Sequence, residues 1–282
     1  MGVDRTAPGI SNPGAVFVPP SRCALCLIVR YDGTDYYGFQ KQSGKPTIQG
    51  ELERCLQGFW GRGQVLGASR TDAGVHAEGQ VVVWRGPVRM PLDRISEVIN
   101  RRLPPAIKIV HARWVPAGWD PRRAQAKQYS YRVWRDALPP SLPWHRLVYP
   151  YSAPLSWSRL TEAAQFFVGT HDFRAFRTEG SSARTTVRTV LVSRWAAEDG
   201  GRVWRYEVIG TGFLYRMVRH MVGSMLAAAE PGRSVAPIRQ GLTNVSAKVT
   251  SLAPAQGLTL DWIQYGQEES TNVSGSCVGI GG

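Results

Sequence analysis

Apolar positions along this chain recur in two periods, and the period switches at turn signals. CALCLIVRYDG, starting at Cys23, is a run of strand formers closed by an Asp-Gly turn. In TIQGELERCLQGFW the apolar residues Ile48, Leu52, Cys55, Leu56 and Phe59 fall three and four apart, on one helical face. QVLGAS and GQVVVW read as strands. PLDRISEVINRRLPP turns Leu92, Ile95 and Ile99 inward and stops at prolines. IKIVHARWV is one more strand, so the order is β-α-β-β-α-β.

The same order then returns. QYSYRVWRD alternates Tyr129, Tyr131 and Val133 against Ser130, Arg132 and Trp134. SWSRLTEAAQFFVG is a helix opened by Ser156 and closed by Gly169. VRTVLVSRWA and RVWRYEVIG are strands joined through a Gly-Gly turn. GTGFLYRMVRHMVGSMLAAA predicts a helix with Phe213, Leu214, Met217, Val218, Met221, Val222 and Met225 on its apolar side. GLTLDWIQY predicts the last strand. The fold class is therefore α+β: two tandem ferredoxin-like halves, their antiparallel sheets docked side by side around a central cleft. The halves span 23–118 and 119–266. The Gly/Pro-rich stretch 1–22 is expected as a flexible leader, and the Gly/Ser-rich 267–282 as a flexible tail.

Charge narrows the partner. The 282 residues carry 34 Lys and Arg against 21 Asp and Glu, a formal net charge of +13, which fits a polyanion such as nucleic acid. A hydrophobic content of 43% excludes a disordered polymer. No stretch is apolar enough to span a bilayer, and no targeting segment is recognisable. Cys23 and Cys26 lie in a strand, where their side chains take opposite faces. With no second Cys pair or spaced histidines to complete a ligand set, no metal is expected.

Candidate chemistry concentrates at SRTDAGVHA, before the third strand. Asp72 there fits a turn maker beside a permissive Gly74. It equally fits a carboxylate at a cleft, aimed by Arg70, able to act as nucleophile or base. In WDPRRAQAKQYSYRVWR, Arg122, Arg123, Lys127, Arg132 and Arg135 interleave with Trp119, Tyr129, Tyr131 and Trp134. That mixture suits single-strand nucleic-acid binding or a half-buried edge strand. Arg216, Arg219 and His220 form a polar stripe that is either solvated or reaches the cleft. Arg174, Arg177, Arg184 and Arg188 surround a loop fit for phosphate contacts or for open solvent.

Taken in order, these blocks resemble a tRNA pseudouridine synthase of the TruA family. YDGTDYYGFQKQ, TIQGELE, SRTDAGVHA, KQYSY, GTHDFRAFR, ARTTVR, GFLYRMVRHMVG and APAQGLTL carry the resemblance across about residues 23–265. It implies that Asp72 is the catalytic aspartate and Arg70 the arginine before it. It implies that Tyr129 packs against the target base, Arg219 pairs with the catalytic carboxylate, and Leu258 lines the pocket. The family's substrate is the anticodon arm of tRNA, and its members work without cofactor or metal as cytoplasmic homodimers. Ser69 stands where many members have Gly, and Ser181 and Ser182 replace a common Cys-Gln. Alternative readings are a pseudouridine synthase acting on other RNA and a non-catalytic RNA-binding protein. A phosphate-ester hydrolase is a third, although no second carboxylate or metal set accompanies Asp72.

Overall fold

The computed structural model describes residues 18–138, 140, 144–180, 184–244 and 249–266. Residues 1–17, the tail 267–282, and Ser181 and Ser182 lie outside the described residues. In chain order the first half runs β1 (Cys23–Tyr31), α1 (Ile48–Trp60), β2 (Gln64–Gly67), β3 (His76–Arg85), α2 (Leu92–Asn100) and β4 (Ile107–Pro116). The second runs β5 (Ala126–Trp134), β6 (Tyr149–Pro150), α3 (Trp157–Gln165), β7 (Gly169–Asp172), β8 (Val187–Glu198) and β9 (Val203–Gly210). It closes with α4 (Met217–Ala229), α5 (Ala236–Thr243) and β10 (Leu258–Gln264).

Local chemistry explains the main boundaries. Thr47 caps α1, its hydroxyl accepting from the Gly50 N–H at 3.3 Å, and Gly61 ends the helix at φ 84°. Ser156 caps α3 by accepting from the Arg159 N–H. Ile48, Leu52 and Leu56 face the core as their spacing predicts, and Trp60 joins them while Phe59 and Cys55 are only partly covered. The β8–β9 turn runs through Gly200 and Gly201, both at positive φ. On β5, Tyr129, Tyr131 and Val133 face the main core, and Trp134 belongs to a separate cluster with Val148 and Val203.

The ten strands form one mostly antiparallel sheet, in the order β4-β1-β3-β10-β5-β9-β8-β7, with β2 beside β3 and β6 beside β5. Instead of two docked sheets, the halves share hydrogen bonds: Thr259 and Leu260 of β10 pair in parallel with His76 and Ala77 of β3. β2 takes the far part of β3, from Val82 to Arg85. β1 pairs with β3 from Ala77 to Trp84 on the other side. β2 and β10 thus divide a single edge of β3 between them, and the β2–β3 loop emerges where they part. Gly79 permits the close approach there, because a Cβ on it would stand 2.6 Å from the Asp261 carbonyl oxygen.

A second, smaller apolar cluster joins Ala24, Cys26, Ala68, Val81, Val83, Val115 and Trp119. The residues 24 and 26 of β1 belong to it while Leu25, Leu27 and Val29 belong to the main core. Burial on both sides explains why CALCLIV is apolar throughout rather than alternating.

Candidate active site

The loop 68–75 is clamped at each step. Gln80, fully buried on β3, donates to the Ser69 carbonyl at 2.7 Å and accepts from the Ser69 N–H at 3.2 Å. Lys127 Nζ donates to the Ala68 carbonyl at 2.9 Å, and burial pushes this ammonium down to about 8. The Tyr31 and Thr71 hydroxyls lie 2.8 Å apart, and the Phe39 N–H donates to the Thr71 carbonyl. Gly74, at φ 78°, completes the turn, with the Val75 N–H donating back to the Asp72 carbonyl. The loop is a tight turn, and it places Asp72 in the pocket wall.

Asp72 Oδ2 accepts from Arg219 Nη1 at 2.8 Å. Arg219 is itself held, since its Nε donates to the Ala253 carbonyl at 2.8 Å. Arg216 stands further off, with Nε 3.8 Å from the same carboxylate oxygen. Arg70 lines the pocket but is exposed, and the ion pairs formed by Asp72 go to Arg219 and Arg216 rather than to it. The expected aiming of Asp72 therefore comes from Arg219 on α4. An arginine two places away in an extended turn points elsewhere.

Tyr129 forms the floor. Its hydroxyl lies 2.9 Å from Ser69 Oγ, and its ring meets Phe213 edge-on at 5.2 Å. Burial pushes the phenol up to about 12, so it stays protonated through the neutral range. Leu258, at the start of β10 opposite Tyr131, is buried and lines the same pocket with Leu214, Met217 and Val218. Asp72, Tyr129, Arg219 and Leu258 are thus brought to one place, with Arg70 at its rim.

Three contributors escaped the sequence reading. α4 begins at Met217, not near Phe213, because Arg216 adopts a left-handed conformation at φ 60° and breaks the helix. Phe213 and Leu214 therefore reach the pocket from the loop before the helix. Ser69 supplies the partner of Tyr129, a contact that needs the fold to be seen. Conversely, Trp119, Tyr131 and Trp134 are buried in the clusters beneath the sheet surfaces, so they offer no stacking platform. Arg122 pairs with Asp120 and Arg132 with Glu198.

His220, on the next turn of α4, accepts from or donates to Thr178 Oγ1 at 3.1 Å and bonds the Ser251 carbonyl at 3.0 Å. Burial lowers its basicity, so the neutral ring braces the segment that carries Ala253. Among the described residues no three His, Cys, Asp or Glu side chains gather as a metal site. A larger cavity, about 480 Å³, opens beside Lys41, Lys45 and Arg54 at the start of α1 and includes none of these groups.

One carboxylate held by guanidinium groups, over an aromatic floor and between aliphatic walls, characterises this α+β protein. The model of the family described as tRNA pseudouridine synthase matches residues 27–122 and 163–266. The chain belongs to this family, isomerases that act on uridine in tRNA. It is 39% identical over 242 residues to the tRNA pseudouridine synthase A of Acetivibrio thermocellus, covering 85% of this chain and 98% of that protein. The tRNA pseudouridine synthase A of Clostridium kluyveri is 34% identical, with 85% and 98% covered. The tRNA pseudouridine synthase A 1 of Desulfotalea psychrophila is 36% identical, with 86% and 99% covered.

Proposed function

We propose that Asp72 is the covalent catalyst of uridine isomerisation in the anticodon stem-loop of tRNA. The observation that carries this reading is the Asp72–Arg219 pair at 2.8 Å inside a pocket floored by Tyr129. Isomerisation breaks the bond from uracil N1 to ribose C1′ and forms one from C5 to C1′. The C5 proton leaves and N1 gains one, so no oxidant, energy source or group donor enters the balance. The target base must first leave the RNA stack, at a cost of a few kcal/mol. Tyr129 and Leu258 then sandwich it, and Arg219 aims the Asp72 oxygen. Attack at C1′ and attack at C6 are both compatible with that oxygen. Arg70, exposed at the rim, faces the incoming strand. A ring and an aliphatic wall in place of water also keep the detached uracil from escaping.

The repeated strand order supports reading 23–118 and 119–266 as tandem ferredoxin-like halves: β4-β1-β3-β2 in one, β10-β5-β9-β8 in the other. An anticodon arm is longer than one such pocket. We therefore read the enzyme as a cytoplasmic homodimer whose second subunit holds the rest of the arm.

Tritium placed at the uracil C5 of unmodified tRNA reports the reaction directly. The wild-type chain should release it. Asp72→Asn should bind the same tRNA nearly as well and release none. Turnover of that variant well above background would remove Asp72 from its role.

A further inference from the structure

We propose that the Arg216 guanidinium is the phosphate-binding group of this pocket, taking a phosphodiester oxygen of the uridine nucleotide seated over Asp72. The proposal rests on the pseudouridine synthase reading and names the part of the substrate that Arg216 meets.

The backbone is the first observation. Arg216 sits at φ 60°, ψ 13°, a left-handed region that strains a residue with a side chain. Among the described residues only Arg22 and Asp199 share a positive φ without being glycine, and both lie away from the pocket. The strain is held in place on both sides. The His220 N–H donates to the Arg216 carbonyl at 3.0 Å, and the Thr178 N–H donates to the Tyr215 carbonyl at 3.1 Å. Such a conformation turns the Arg216 side chain into the pocket wall instead of along the helix surface.

The side chain is the second. Its Nε is buried and finds no acceptor among the described residues. At 3.8 Å from Asp72 Oδ2 it is too far for a hydrogen bond, and Arg219 already occupies that oxygen. The guanidinium instead lies over the Tyr215 ring, 4.8 Å from its centre. The side chain as a whole keeps 34% of its surface open, so an arriving anionic oxygen can meet the guanidinium without displacing Arg219.

The third is charge. Arg70, Arg216 and Arg219 line the pocket against the single carboxylate of Asp72. Uracil and ribose are neutral, so the excess positive charge suits only the phosphodiester of the nucleotide. Arg219 is committed to Asp72 and to the Ala253 carbonyl. Arg70 is exposed at the rim. Arg216 is the group left to bind.

The test compares wild type, Arg216→Gly and Arg216→Lys. Glycine favours the left-handed region, so Arg216→Gly should fold with an unchanged or higher melting temperature. With unmodified tRNA, tritium release gives kcat and KM, and filter binding across a salt series gives the number of phosphates neutralised. Arg216→Gly should raise KM by about tenfold or more with kcat little changed, and flatten the salt slope by about one. Arg216→Lys should restore the slope but only part of KM, because the planar fork is lost. An unchanged KM and slope in Arg216→Gly, or a loss confined to kcat, would overturn the proposal. Absence of tritium release by wild type would instead sink the isomerase reading, while the slopes would still judge Arg216.

Discussion

Tyr129 shows how much one side chain does here. Its ring packs on Phe213, its hydroxyl ties to Ser69, and it lies next to the loop that presents Asp72. Removing the hydroxyl alone should cost about 1 kcal/mol of stability through the lost hydrogen bond, while the stacking ring remains. Tyr129→Phe should therefore bind tRNA close to wild type, and Tyr129→Ala should bind poorly. Equal affinities for the two variants, measured by filter binding, would show that stacking is not what this residue supplies. At this scale the sequence was most informative where motif blocks align: Asp72, Tyr129, Arg219 and Leu258 were all named from short contiguous patterns and all line one pocket. It was least informative about pairing. Closeness in sequence points to Arg70 as the group that aims Asp72, whereas the hydrogen bond comes from Arg219, distant in the chain and named only through the family resemblance.

The element that decides the pocket is α4. Its periodic apolar face is visible from Phe213 onward, so periodicity places the start too early. The left-handed Arg216 is what ends it, and a helical period carries no mark of a single dihedral. β6, β7 and α5 were missed for another reason: they are short, and β6 has only two residues, below any period that could be read. Along α4, Gly223 lets the chain segment 251–253 lie against the helix. A Cβ there would stand 2.9 Å from both the Ser251 carbonyl carbon and the Ala253 nitrogen. That segment carries the carbonyl that holds Arg219. Gly223→Ala should push it away, lower stability by roughly 1–3 kcal/mol and reduce kcat, although residue 223 does not line the pocket. Wild-type kcat in a destabilised Gly223→Ala chain would show that the Ala253 carbonyl does not position Arg219.

Across the whole molecule the halves are joined by more than the two-residue pairing of β3 with β10. Arg146, from the connection between β5 and β6, pairs with Asp32 and Asp35 beside β1. Next to it, Gln256 Nε2 donates to the His145 carbonyl at 3.0 Å, and His76 Nε2 bonds the Gln256 carbonyl at 3.0 Å. Burial alone would raise the Asp32 carboxyl, but hydrogen bonds from His76 and Thr34 outweigh it and hold it well below the usual carboxylate range. The Arg146 pairs are partly exposed, so Arg146→Ala should cost no more than about 1 kcal/mol in urea unfolding. A loss of several kcal/mol would mark this latch as a principal tie between the halves. The longer strands and helices of each half were legible because each carries its own period. The fusion into one sheet was not, because β10 keeps the same alternation whether one neighbour or two bond to it.

β10 is the last strand among the described residues, yet its place is near the middle of the sheet, between β3 and β5. During synthesis the first half can collapse around its own core long before residues 258–264 leave the ribosome. Until they do, β3 and β5 face each other across an unfilled gap, and Leu258 is missing from the pocket. A chain lacking β10 would thus leave the facing borders of β3 and β5 unpaired and the pocket without the Leu258 wall.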